Sequence, residues 1–255
     1  MKRPFVVGFD RRVRCDWLDA IASQRAAGLK TADLRRYGHR LLRGEFPGND
    51  ARGKTLTVIF HLWVDVPERA SALRDAALKL LPNLRTDCRV ALHWGLGLAT
   101  YPFYRDVADA TGRLCALQGD VSLAQLQRRL AERWGQRPTA ERAAQRIVRS
   151  WIDWGMLKET GQRGTYSPAH RLTLSAELSS WMVEAVLVGT DAESQPVSSI
   201  RVTPQLFPFD VQVSAHELRR SPRLVVHRQG IDEDIVALRP VVKPSPSGRR
   251  QLSLL

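Results

Sequence analysis

The stretch from Tyr101 to His170 constrains the fold more than any other part of this sequence, because distinct local signals follow one another along it. "YPFYRDVADATGRLCALQ" reads as a helix with Pro102 in its first turn, where a missing amide costs little, and with Val107, Ala110, Leu114 and Leu117 on its inner side. "GDVSLAQLQRRLAERWG" adds a short extended step, Asp120 to Ser122, and a helix opened by a capping box in which Ser122 and Gln125 exchange bonds with free amides. That helix buries Leu123, Leu126, Leu130 and Trp134 and closes at Gly135. The next, "RPTAERAAQRIVRSWIDWGMLK", is capped by Thr139 with Glu141 in its first turn, and returns Ala140, Ala144, Ile147, Val148 and Trp151 at helical spacing. "MLKETGQRGTYSPAH" then forms two short segments around Gly161 and Gly164, as a β-hairpin with a four-residue connection would.

The flanks are mostly helical. In "RVRCDWLDAIASQRAAGLKTADLRRYGHRLLRGEF" two helical patterns turn Trp17, Leu18, Ile21 and Ala22, then Leu34, Tyr37, Leu41 and Leu42, inward. Gly28 suits the end of the first and Thr31 the cap of the second, an arrangement similar to a small helix-turn-helix. Phe46 to Thr55 reads as a turn-rich loop. Leu56–Val66, Glu68–Leu81 and Arg89–Tyr101 form a central bundle punctuated by Pro67 and Pro82, with Trp63, His93 and Trp94 packed inside; the β-branched opening of the first leaves strand as an alternative. "VALHWGLGLATYPF" falls short of the roughly 20 residues that span a bilayer, so it is a buried helix. "LSAELSSWMVEAVLVG" is a further helix with Leu178, Trp181, Met182, Ala185 and Val186 facing in. "FPFDVQVS", "RLVVHRQG" and "DIVALRPVV" alternate like strands around a helical turn at "AHELRRSP".

The expected class is therefore mainly α with a small β component. The expected divisions are an N-terminal helix-turn-helix-like region (1–50), a helical bundle (51–98), the helix–strand–helix–helix–hairpin unit (99–190), a small α+β segment (191–242) and a Pro- and Ser-rich tail (243–255). Helix, short strand, helix, helix, hairpin is the order of a winged helix.

Lys and Arg number 39 against 26 Asp and Glu, a formal charge of +13 that attracts polyanions, nucleic acid first. In a winged helix the third helix enters the major groove and the hairpin lies along the backbone, so Arg142, Gln145, Arg146 and Arg149 are the groove-facing candidates. Arg128, Arg129, Arg137 and Arg163 suit phosphates, and Arg35, Arg36 and Arg40 form a second basic surface. The competing structural reading pairs Arg149 with Asp153 on a solvated face.

Signatures of catalysis are thin. The histidines, His39, His61, His93, His170, His216 and His227, form neither HxxxH nor HExxH, and Cys15, Cys88 and Cys115 show no paired spacing. No metal site, cofactor, small-molecule substrate or enzyme is expected. "IDEDI" and Asp210 would serve a metal-dependent nuclease only if their carboxylates converged; as a turn between strands they need no such role. The start, "MKRPFVVGFDRR", is too soon interrupted for a secretory core, so a cytoplasmic protein without membrane association is expected.

The run "LHWGLGLATYPFYRDVADATGRLCALQGDVSLAQLQRRLAERWG", with "AAQRIVRSWIDWGMLK" and "WMVEAVL" after it, resembles the small accessory proteins of BREX-type bacterial phage-exclusion systems, the BrxA-like family. The resemblance covers about the middle half of the chain and rests on pattern and element order. It implies helix-turn-helix and winged-helix elements, non-catalytic binding of double-stranded DNA, and antiviral defence beside other subunits of such a system. A transcriptional regulator or a protein-interaction scaffold built on the same module are the alternatives.

Overall fold

The computed structural model describes residues 7–190, 192–230 and 233–240. Across these residues the chain is mainly helical with three small sheets. α1 (Cys15–Ala26), α2 (Thr31–Leu41), α3 (Asn49–Trp63) and α4 (Glu68–Leu80) lead into α5 (Val90–Thr100). Then come α6 (Pro102–Gln118), β1 (Val121–Ser122), α7 (Leu123–Trp134), α8 (Pro138–Asp153), β2 (Leu157–Glu159) and β3 (Thr165–Pro168). β4 (Leu172–Thr173), α9 (Ala176–Thr190), β5 (Ser194–Pro196), α10 (Val197–Arg201), β6 (Phe209–Asp210), α11 (Ala215–Arg220), β7 (Leu224–Gln229) and β8 (Glu233–Leu238) follow. Among the described residues no helix is long and apolar enough to cross a membrane.

α5 and α9 form the centre. Every residue of α5 is buried, and so is every residue of α9 from Leu178 to Gly189, so both are covered all round rather than on one face. Glycine makes their approach close: a Cβ at Gly95 would stand 2.4 Å from the Trp181 ring, and one at Gly189 would stand 2.6 Å from the Leu98 carbonyl oxygen. The Trp181 indole also donates to the Leu73 carbonyl at 3.1 Å, tying α9 to α4. A single apolar core runs from Phe9 to Val236 around this pair.

Beside it, β1 and β2 flank β3 in an antiparallel sheet, with Val121 opposite Tyr166 and Lys158 opposite Ser167. β4 and β6 pair in parallel, and β5, β8 and β7 make an antiparallel sheet near the C-terminal end. Ser214 and Glu217 close a capping box at the start of α11.

Several local expectations are corrected. The loop expected over Phe46–Thr55 is already helical from Asn49, and the segment expected as helix or strand from Leu56 is the continuation of that helix. Buried Arg52 explains the polar composition there: it donates to the Phe46 and Pro47 carbonyls at 2.6 and 2.9 Å, closing the turn from inside. Thr31 and Thr139 are helical residues rather than caps; Lys30 and Arg137 hold the cap positions, and Pro138, with no amide to satisfy, begins α8. Leu117, expected inside, is 79% exposed because the last turn of α6 runs past its cover, and the hairpin connection spans 160–164 rather than four residues. "FPFDVQVS" contributes only the two-residue β6.

The C-terminal sheet is held to α9 by an ion pair between buried Glu184 and Arg223. Burial raises the Glu184 carboxyl above its ordinary value, with Arg223 pulling the other way. A carboxyl raised in the folded state costs stability as pH climbs from its unfolded value through its folded one, and Arg223 offsets that cost. Arg223→Met is expected to lose about 3 kcal/mol near neutral pH, the low end for stranding a buried charge because the guanidinium is partly exposed. Denaturant unfolding at pH 7.5 and again below the ordinary carboxyl range checks this: the loss should shrink in acid, and equal losses would dismiss the account.

Candidate nucleic-acid interface

α6, α7, α8 and the β2–β3 hairpin make one unit. Ser122 opens α7, accepting from the Gln125 amide at 3.2 Å while the Gln125 side chain takes the Ser122 amide at 3.1 Å. The Leu123 amide donates to the Gly164 carbonyl at 2.9 Å, so the base of the hairpin turn is tied to the first turn of α7. Gly135, at φ +72°, breaks α7 and lets the chain reverse into α8. α8 then buries Ala140, Ala144, Ile147, Val148 and Trp151, the expected stripe.

The opposite stripe carries the candidate contacts. Arg142 and Arg149 are exposed and Gln145 is half-buried. Arg142 folds back to the Pro138 carbonyl at 3.1 Å. Arg149 does not pair with Asp153, whose carboxylate instead accepts from Arg12 at 3.3 Å and from the Cys15 amide at 3.1 Å. Arg146 departs from the expectation: it is half-buried and donates to the Asp10 carbonyl, which draws it away from the open face. Arg128 on α7 and Arg163 in the hairpin turn are exposed, whereas Arg129 lies 3.9 Å from Glu132 and Arg137 sits at the cap of α8.

The second basic surface is largely spent on its own neighbourhood. The Arg35 guanidinium lies over the Phe60 ring at 4.8 Å and 3.7 Å from Asp65, and Arg36 pairs with Asp33. Arg40 stays exposed, on a helix that packs against α1 and α3.

What sequence reasoning missed is the segment before α1, which lies along the C-terminal half of α8. Phe9 and Val13 are fully buried, Phe9 meeting the rings of Tyr101 and Tyr104 at 5.5 and 5.3 Å. The Val13 amide donates to Ser150 Oγ at 2.9 Å, and the Trp154 indole donates to the Val13 carbonyl at 2.9 Å. The partners are well over a hundred residues apart, so periodicity carries no signal of this contact; only Phe9 and Val13 as apolar punctuation among arginines hints at it.

A second cluster gathers residues that sequence spacing keeps apart. Potential ligand atoms of Cys15, Asp19 and His93 all lie within 4.8 Å of one another. His93 is buried, and the Trp63 indole donates to its Nδ1 at 3.1 Å. An indole N–H only donates, so neutral His93 carries its proton on Nε2 and gives it to Asp19 Oδ1 at 3.1 Å. The nitrogen that faces the cluster is thus a donor, and burial pushes the Cys15 thiol up to about 12. Both ring nitrogens of His93 are committed to hydrogen bonds, and the chain Trp63–His93–Asp19 pins α3, α5 and α1 together. Of the acidic residues weighed for a metal-dependent nuclease, Asp234 pairs with Arg219 at 3.0 Å and Asp210 lies in a different sheet, while Ile231 and Asp232 lie outside the described residues.

Asp19→Ala leaves the His93 Nε2–H buried without its acceptor and is expected to cost about 1–3 kcal/mol. Urea unfolding checks this; a change below about 0.5 kcal/mol would mean that His93 finds another partner.

Comparisons with protein-family models, with curated proteins and with solved structures find no match.

Proposed function

We propose that α6 through β3 is a winged helix and that the protein binds double-stranded DNA without catalysing a reaction on it. α8 is the groove helix and the β2–β3 turn is the wing. The observation that carries this reading is the outer stripe of α8. Arg142, Gln145 and Arg149 stand on the solvent side of a helix whose other side is locked into the core, and Asp153, the acid that would have neutralised Arg149, is engaged elsewhere.

The sheet order β1-β3-β2 supports the fold part of the proposal, because β1, which leads into α7, pairs with hairpin strand β3. Arg128 and Arg163 flank the helix as phosphate contacts, while Arg142, Gln145 and Arg149 have the donors that base edges and groove phosphates accept. The charge of +13 supplies the long-range attraction. The resemblance to BREX-type accessory proteins gives this binding a setting: a DNA-contacting subunit of a bacterial phage-exclusion system.

Anisotropy titration of a labelled duplex at salt from about 50 to 200 mM tests the binding, with a steep inverse salt dependence expected. Replacing Arg142 and Arg149 together with Ala is expected to weaken it at least tenfold, at about 1 kcal/mol or more per lost contact. Absence of binding at about 50 mM salt overturns the proposal. In cells that carry the remaining exclusion genes, the same double variant is expected to lose phage resistance that the parent protein restores.

A further inference from the structure

α8 ends in an acid where a DNA-binding helix would be expected to end in a base. Asp153 lies on the same stripe as Arg142 and Arg149, and a free carboxylate there would repel phosphate. The segment that crosses it changes the balance. Arg12 Nη2 reaches Asp153 Oδ1 at 3.3 Å, and the Cys15 amide takes Oδ2 at 3.1 Å, so both carboxylate oxygens are occupied.

We propose that Arg12 is itself a phosphate contact and that residues 9–14 form a fixed arm completing the DNA interface, an inference that rests on the double-stranded-DNA reading above. Arg12 has the means: its side chain is 53% exposed, and the single bond to Asp153 uses one of five guanidinium N–H groups. The other arginines of the arm are more engaged or less exposed. Arg14 is held by two bonds to Asp16, at 3.1 and 2.8 Å, and Arg11 is only 29% exposed beside Asp10.

The base of Arg12 is rigid. Fully buried Phe9 and Val13 bracket it, and the bonds of Val13 to Ser150 and Trp154 fix the backbone next to it. A segment anchored in this way cannot act as a lid that lifts off. From Arg142 to position 153, where Arg12 sits, is about 16 Å of helix axis at 1.5 Å per residue.

The test is the salt dependence of binding to a short labelled duplex, with the full chain. Arg12→Gln is expected to weaken binding three- to tenfold and to reduce the steepness of log K against log salt by about 0.9, the value of one phosphate contact, while Arg12→Lys keeps the slope. The same comparison is made in an Asp153→Asn background, where no carboxylate needs cancelling; the loss should persist there. That background also supplies the measurement if Arg12→Gln alone loses the fold. An unchanged slope, or a loss that vanishes in the Asp153→Asn background, reduces Arg12 to a neutraliser of Asp153 and overturns the inference with the DNA reading intact. A parent protein that binds no duplex overturns the DNA reading itself.

Discussion

The seat of α5 against α9 is the constraint from which the rest of the structure follows. A helix with no polar side must be covered on every side, and α5 recruits that cover from α3, α4, α6 and α9. Its Trp94 also reaches α8, its ring tilted by 31° against Trp151 with centroids 4.6 Å apart, while the Trp151 indole donates to the Tyr104 hydroxyl at 2.8 Å. Those two contacts fix the roll of α8 about its own axis. Once Trp151 is turned into the core, the positions half a turn away have nowhere to point but solvent. The exposed arginines of α8 are therefore placed by an aromatic contact on the opposite side of the same helix.

The parts of the fold that sequence reasoning reaches are those whose information is local. The capping box at Ser122, the glycine break at Gly135 and the apolar stripe of α8 lie within a turn or two of the structure they specify, and the helix–strand–helix–helix–hairpin order follows from them. Where the competing signal is equally local, errors stay small: Thr139 is a good cap by type, but Pro138 before it is a better first helical residue. The misreading at 46–55 has a different cause. Arg52 counts as polar in any window, yet it is buried because it satisfies carbonyls that the turn would otherwise strand. At the candidate interface, exposure of Arg142 and Arg149 follows from periodicity, whereas capture of Arg146 by the Asp10 carbonyl depends on a contact no window contains.

Counting charges also overstates the surface that can meet a polyanion. The excess of arginine feeds two structural uses besides any binding one. Some arginines close the ends of elements from inside, as Arg74 does on the carbonyls of Trp63 and Val64 at 3.2 and 2.9 Å, where the end of α3 leaves acceptors unpaired. Others are matched to a nearby acid, as Arg133 is to Asp106 at 2.8 Å and Arg113 to Asp109 at 2.7 Å. Pairing lowers the local field without changing the formal total, so long-range attraction and short-range contact are carried by different subsets of one composition.

That separation bears on how tightly such a surface can bind. Attraction from a net charge is screened within about 10 Å at ordinary salt, so it brings a duplex close without choosing its orientation. Orientation needs donors whose positions do not move when the partner arrives, because each long side chain ordered on binding costs about 0.5–1.5 kcal/mol. α8 limits that cost at the level of the backbone. Its inner side is closed by Trp151 and Ser150, and its exposed end is strapped by the Val13 bonds to Ser150 and Trp154. Only the guanidinium stems remain to be ordered. In the proposed complex a helix held this way on two sides discriminates by geometry, so selectivity there would depend more on groove shape than on the total charge of the protein.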